Sequence, residues 1–236
     1  MGQYYRPVLT KNGKTTLFGN QSKNELTGVF DDWHGLKIME HSWIGNELVD
    51  GIAQKLYNKK GRVAWVGDYT SDIMSEVVST DGTKAPMSPD ELYYATLFQR
   101  DEDGNFVKGS NGYRVELNKL PKDVKKSKCV KYNGTFKMVH KFLINLTKKE
   151  YIDMDAYISR SMTKDGWCVH PLPLMTSTGG DQGGGDYHEG YICQSYVGEW
   201  AYDEITIKDK APKDKDFTLL NVTFSEEIEV VIEGVC

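Results

Sequence analysis

Between Val169 and Tyr191 the chain collects residue types that can bind an ion or move a proton. They are two of its five histidines, His170 and His188, and the carboxylates Asp181, Asp186 and Glu189. Nitrogen and oxygen donors of this kind can hold a metal ion that activates water, and Asp68 and Asp203 add carboxylates from elsewhere in the chain. The spacing argues against it. His188-Glu189 is followed by Gly190, so there is no His-Glu-x-x-His helix, and His170 stands before Pro171 on what reads as a strand. The expectation is therefore no metal and no cofactor. His170, Asp186 and His188 form the ligand set of the alternative, a metal-dependent hydrolase of a nucleotide or phosphoester.

Five of the seven residues from Gly179 to Gly185 are glycine. Glycine loses more backbone freedom on folding than any other residue, so the run needs a reason: positive φ angles, or close approach of something to the backbone. A nest of N–H groups for an anion is one reading. A self-contained loop, with Asp181 and Asp186 accepting from nearby N–H groups, is the other, and those carboxylates would repel an anion. No Lys-Ser or Lys-Thr follows, so the run is not a P-loop, nor does it sit between a strand and a helix as a dinucleotide fingerprint does. Cys168 and Cys193 lie in apolar strand-like patterns, where cysteine acts as a small buried hydrophobe rather than a nucleophile.

An internal echo links this stretch to the rest of the chain. Trp65-Val-Gly-Asp68 and Trp200-Ala-Tyr-Asp203 each place an aspartate three residues after a tryptophan. In extended chain that offset sends the two side chains to opposite faces, so the tryptophan is buried and the aspartate emerges. Two such corners could flank one cleft. The candidate binding set is accordingly Trp65, Asp68, His170, Gly183, Gly184, Gly185, Asp186, Tyr187, His188, Trp200 and Asp203.

The elements that must position these residues follow from local signals. Gln3–Thr10 and Thr15–Phe18 read as a hairpin turning at Asn12-Gly13. Ile44, Leu48, Val49, Ile52, Ala53, Leu56 and Tyr57 repeat at helical spacing, with Gly61 as the C-terminal cap and Arg62–Val66 as a buried strand ending at Gly67-Asp68. Ser88-Pro-Asp-Glu91 is a capping box opening a helix to about Phe98. The six lysines of Lys119–Lys131 suit a solvated loop or edge strand. Phe136–Leu146 reads as a strand and Lys148–Ser159 as a short helix. Trp167–Met175, Tyr191–Trp200, Asp203–Ile207, Phe217–Phe224 and Glu229–Val235 read as further strands. Strands dominate without a strict βαβ rhythm, which predicts an α+β fold, mostly antiparallel, as one domain over residues 1–236 with a weak subdivision near 115–130.

With 39% hydrophobic and 27% charged residues, the composition is that of a globular protein, and a net charge of −5 has the wrong sign for a general nucleic-acid binder. Cys129, Cys168, Cys193 and Cys236 show no Cys-x-x-Cys spacing and no signal-peptide pattern precedes them, so they read as free cytosolic thiols. No apolar run approaches a membrane span in length, so no membrane partner is expected.

Met1-Gly-Gln-Tyr-Tyr-Arg-Pro-Val8, Gly35-Leu-Lys-Ile-Met-Glu-His-Ser-Trp-Ile-Gly-Asn46, Trp65-Val-Gly-Asp-Tyr69, Asn145-Leu-Thr-Lys-Lys-Glu-Tyr-Ile-Asp153, His170-Pro-Leu-Pro-Leu174, Gly183-Gly-Gly-Asp-Tyr187 and Val197-Gly-Glu-Trp200 occur in this order along most of the chain. Together they resemble a group of proteins without assigned activity from bacteriophages and mobile elements of Gram-positive gut bacteria. The chain departs from that group in carrying Asp181 and Gln182 where a basic residue usually precedes the glycines. The resemblance implies a setting, the cytoplasm of a bacterial host cell, and a role as an accessory or counter-defence factor. The expected partner is a host defence protein or a small nucleotide signal.

Overall fold

The computed structural model describes residues 3–19, 21–23, 30–32, 36–68, 76–95, 120–130, 132–178 and 196–223. The architecture is α+β, a mixed, mostly antiparallel sheet with helices on both faces. Strands β1 (Tyr5–Lys11) and β2 (Lys14–Gly19) form the expected hairpin, with Asn12 at φ +50° and Gly13 at φ +68° making the turn. β3 (Gln21–Lys23) and β4 (Phe30–Asp32) pair as a separate two-stranded ribbon. After the short helix α1 (Ile38–His41), helix α2 (Glu47–Leu56) begins where the Asn46 side chain accepts from Leu48 N and Val49 N. It delivers the chain to β5 (Lys60–Gly67), the strand on which the remainder is hung.

Alternate residues of β5 enter different cores. Val63 and Trp65 pack with α2, while Ala64 and Val66 pack with helix α3 (Pro89–Ala95), so the strand is buried on both faces. The capping box before α3 forms as expected, Ser88 N donating to Glu91 Oε2 at 3.0 Å. β6 (Val124–Cys129), carrying three of the lysines, is an edge strand parallel to β2, so residues 124–129 join the sheet. β7 (Phe142–Asn145) and β8 (Glu150–Asp153) form a hairpin followed by helix α4 (Met154–Ser161), then helix α5 (Pro171–Met175), β9 (Ser177–Thr178), β10 (Glu204–Lys208) and β11 (Thr218–Leu219). The main path across the sheet is β11-β8-β7-β10-β5-β1-β2-β6, with β9 joined to β5. No helix among the described residues is long and apolar enough to cross a membrane.

Several sequence expectations are corrected. The helix expected at Lys148–Ser159 starts only at Met154: Lys149 adopts φ +58°, turning the chain into β8, and Asp153 caps α4 by accepting from Asp155 N and Ala156 N. Pro171 and Pro173 do not pin a strand. They occupy the first turn of α5, where a missing N–H costs nothing, and His170 supplies the cap. Gly61 is not the C-cap of α2, since Asn58 takes the left-handed conformation at φ +52° and Gly61 lies within β5. The strand expected at Phe136–Leu146 is confined to β7, and the one at Phe217–Phe224 is confined to β11 among the described residues, which end at 223. Residues 196–200 are turn, not strand. The glycine run, Cys193 and Glu229–Val235 lie outside the described residues.

The edge of β5 away from β1 carries two partners in series. β10 pairs antiparallel along Lys60–Arg62 and β9 pairs parallel at Trp65 and Val66. Between them the chain from 196 to 203 fills the fork: Gly198 N donates to Leu174 O, Trp200 N to Met175 O and Tyr202 N to Val63 O, at 2.9, 2.7 and 2.6 Å. Gly198 sits at φ +76°, and a Cβ there would lie 2.8 Å from the Ser177 carbonyl oxygen. Backbone cannot move aside as a side-chain tip does. Gly198→Ala should therefore lower unfolding stability by about 2–4 kcal/mol. Gly13→Ala, left-handed but in open space, should cost only about 1–2 kcal/mol. Denaturant titration of the two variants checks the difference.

Candidate functional site

Asp203 is the most heavily bonded of the candidate side chains. It precedes β10 and is fully buried. Its Oδ1 accepts from Ser79 Oγ at 2.8 Å and Thr80 N at 2.7 Å, and its Oδ2 accepts from Thr80 Oγ1 at 2.7 Å and Asn145 Nδ2 at 2.8 Å. All four donors come from distant segments. Arg62 extends the network, donating from Nη1 to Ser79 Oγ at 2.7 Å and from Nη2 to Asp81 Oδ2 at 2.8 Å, and its guanidinium holds the Asp81 carboxyl below the usual carboxylate range. Asn145 in turn accepts with Oδ1 from Thr147 N and Lys148 N, fixing the β7–β8 turn. A buried carboxylate is tolerable when its lone pairs are met, and here they are.

The two Trp-x-x-Asp segments are therefore not equivalent corners. Trp65-Val-Gly-Asp68 is extended, but Trp200-Ala-Tyr-Asp203 is a turn with Tyr202 at φ +62°, so Asp203 is directed inward instead of emerging. Both tryptophans are fully buried, as expected; Trp200 Nε1 donates to Glu150 Oε2 at 2.7 Å. Asp68 is half-buried at the other end of β5, where its N–H donates to Tyr4 O and its Oδ1 accepts from Tyr4 N, each at 3.0 Å. Because Tyr202 N meets Val63 O, Asp203 lies beside the start of β5. Five residue rises separate that level from Asp68, about 17 Å. Asp68 and Asp203 clasp opposite ends of one strand.

His170 is fully buried at the start of α5. Its N–H donates to Ser42 O at 2.8 Å, and its Nδ1 accepts from Leu172 N at 3.0 Å. With Nδ1 as the acceptor, the neutral ring keeps its proton on Nε2, which is buried without a hydrogen-bond partner among the described residues. A metal-bound histidine has the reverse arrangement, donating from the nitrogen that does not bind the ion. Burial pushes the ring's pKa down to about 3. The adjoining Cys168 thiol is also buried and pushed up to about 12 by burial, which suits a packing role and not a nucleophile.

The structure thus brings His170, Trp65 and Trp200 to the walls of one core, and Asp203 to the foot of the fork. Gly183, Gly184, Gly185, Asp186, Tyr187 and His188 lie outside the described residues, but both stems of their segment are at the fork: the chain leaves from Thr178 beside Val66 and returns at Tyr196. Among the described residues no group of three His, Cys, Asp or Glu side chains could hold a metal. Sequence reasoning did not find Ser79, Thr80 or Asn145, whose partnership with Asp203 spans 124, 123 and 58 residues. No family model matches the chain, and neither a curated protein nor a solved structure matches it.

The buried His170 makes stability depend on pH in a defined direction. Its folded pKa lies below the unfolded value, so between about pH 6.5 and pH 3 the unfolded chain binds the extra proton. Its stabilising contribution is present above that window and declines as the pH falls through it. Relative to pH 7.5, this residue should cost about 3 kcal/mol at pH 4.5. His170→Asn keeps a capping acceptor and should flatten that part of the profile, read from urea midpoints across the range.

Proposed function

We propose that the protein is a non-catalytic binding protein, an accessory factor of a phage or other mobile element that acts by occupying a host defence protein or a small nucleotide signal. The observation carrying this reading is how the described polar candidates are used. Asp203 meets four donors, Asp68 bridges to Tyr4, His170 caps a helix and Cys168 is sealed in the core. General acids, bases and nucleophiles must be reachable by substrate. Groups spent on backbone and buried hydroxyls suit a rigid frame instead. The resemblance to phage and mobile-element proteins supports the cytoplasm of a bacterial host as the place of action, with neither membrane nor nucleic acid as the partner.

In this reading the contact is made by the segment carrying Gly183, Gly184, Gly185, Asp186, Tyr187 and His188, held at both stems by the fork. A tyrosine among glycines supplies contact area at low entropic cost. Purification from host cells, followed by native and denaturing mass spectrometry, tests the proposal. A stoichiometric host protein or intact nucleotide should accompany the wild type and be lost from Tyr187→Ala, with the melting temperature unchanged and no effect of chelator. Stoichiometric zinc or manganese with chelator-sensitive cleavage of a nucleotide would instead establish the metal-dependent hydrolase.

A further inference from the structure

Asparagine followed by glycine is a dipeptide with chemistry of its own. Because glycine has no side chain in the way, its backbone nitrogen can reach the asparagine Cγ and close a five-membered ring. The chain holds three such pairs, Asn12-Gly13, Asn111-Gly112 and Asn133-Gly134, of which the first and third are among the described residues. Their settings differ. Asn12 at φ +50° and Gly13 at φ +68° form the β1–β2 turn, between Lys11 and Lys14, which pair across the ladder. Swinging the Asn12 backbone towards its own side chain would unmake that turn. Asn133-Gly134 is exposed and lies outside every helix and strand, with Gly134 at φ +71°. Among the described residues neither the Gly134 N–H nor the Asn133 Nδ2 has a hydrogen-bond partner. Asn133 Oδ1, by contrast, accepts from Thr135 N at 3.2 Å, Thr135 Oγ1 at 2.8 Å and Gln54 Nε2 of α2 at 3.0 Å. The Thr135 N–H must meet an acceptor, which fixes that atom as the oxygen of the amide.

We propose that Asn133 is a site of spontaneous deamidation in the folded protein. The Gly134 nitrogen gives its proton to hydroxide and attacks Cγ of Asn133. The N–Cγ bond forms, the Cγ–Nδ2 bond breaks, and Nδ2 takes a proton from water and leaves as ammonia. Donors on Oδ1 stabilise the negative charge this oxygen carries in the tetrahedral intermediate. Water then opens the cyclic imide. Cleavage of N–Cγ gives aspartate; cleavage of the bond from N to the Asn133 main-chain carbonyl carbon gives isoaspartate, whose main chain runs through Cβ and Cγ. The net reaction is hydrolysis of a side-chain amide, with nothing oxidised or reduced. The position of Asn133 gives the reaction a consequence. The chain around it lies across α2: Val130 packs where Gly51 has no Cβ, Gln54 bonds to Asn133, and Phe136 is buried in the core. Isoaspartate lengthens the main chain between Val130 and Phe136 by one carbon and moves the acceptor away from Gln54, which loosens this crossing. The site is independent of the contact segment proposed above, and it stands if that segment proves to bind nothing.

Incubation of the native protein at mildly alkaline pH, followed by peptide mapping that separates aspartate from isoaspartate, tests the site, with a urea-unfolded sample as the reference. In urea Asn12 and Asn133 should both convert. In the native protein Asn133 should convert to a mixture of the two products, faster at higher pH, while Asn12 stays an amide. Asn133→Gln keeps an amide for Gln54 but would have to close a six-membered ring, and should remove the products from that peptide. The isoaspartyl species, isolated by ion exchange, should melt below both the unreacted protein and Asn133→Asp, which carries the same charge on an unaltered main chain. An Asn133 that stays an amide in the native protein while reacting in urea, or native conversion of Asn12 that keeps pace with Asn133, would overturn the proposal. An isoaspartyl species as stable as Asn133→Asp would overturn the loosening of the crossing.

Discussion

The arrangement of this molecule depends on one buried carboxylate. Asp203 sits where the chain leaves the fork and enters β10, and its two oxygens accept from the turn at residues 79–80 and from Asn145 at the end of β7. Those contacts join three segments that meet nowhere near each other in sequence. Through Ser79 the network reaches Arg62, which lies opposite Glu204 in the β5–β10 ladder, so the carboxylate and the sheet register support each other. An alanine there would remove the acceptor of four donors, two of them on the buried Ser79 and Asn145, a heavier penalty than the loss of any one bond.

The fork explains why the glycine-rich segment begins and ends where it does. A strand edge ordinarily accepts one partner, but the edge of β5 is divided between β10 and β9, with Tyr202 bonded to Val63 at the division. Both stems of the segment are thereby fixed beside β5, a strand buried on both faces. Positive φ at Tyr202 and Gly198 is the local cost of turning the chain inside that division, and the hydrogen bonds of Trp200 and Gly198 to α5 offset it. A rigid frame under a glycine-rich segment is how binding loops are commonly carried.

What could be read from the sequence was local. The Asn12-Gly13 turn, the periodicity of α2, the capping box before α3 and the apolar run of β5 are signals contained within a few residues, and each element formed. The errors share one cause, in that one residue type serves two structures. Proline fixes φ near the value that both strands and helix starts use, and only the capping nitrogen of His170 decides that Pro171 opens a helix. Gly61 did carry a signal, but its cause is the Leu9 and Lys11 side chains reaching over it from β1, not the end of α2. The pairing of Trp with Asp at two places was a coincidence of spacing. Asp68 and Asp203 have different backbone settings, and the partners of Asp203 lie too far along the chain for any local pattern to show them.

The central claim is that Asp203, foremost among the described polar candidates, holds the frame together. Urea denaturation of Asp203→Ala, with circular dichroism of the variant in water, tests it most directly. The account predicts a loss of about 3–5 kcal/mol of unfolding free energy. An unchanged midpoint, with a native spectrum and a lost cellular activity, would contradict it and make Asp203 a functional carboxylate.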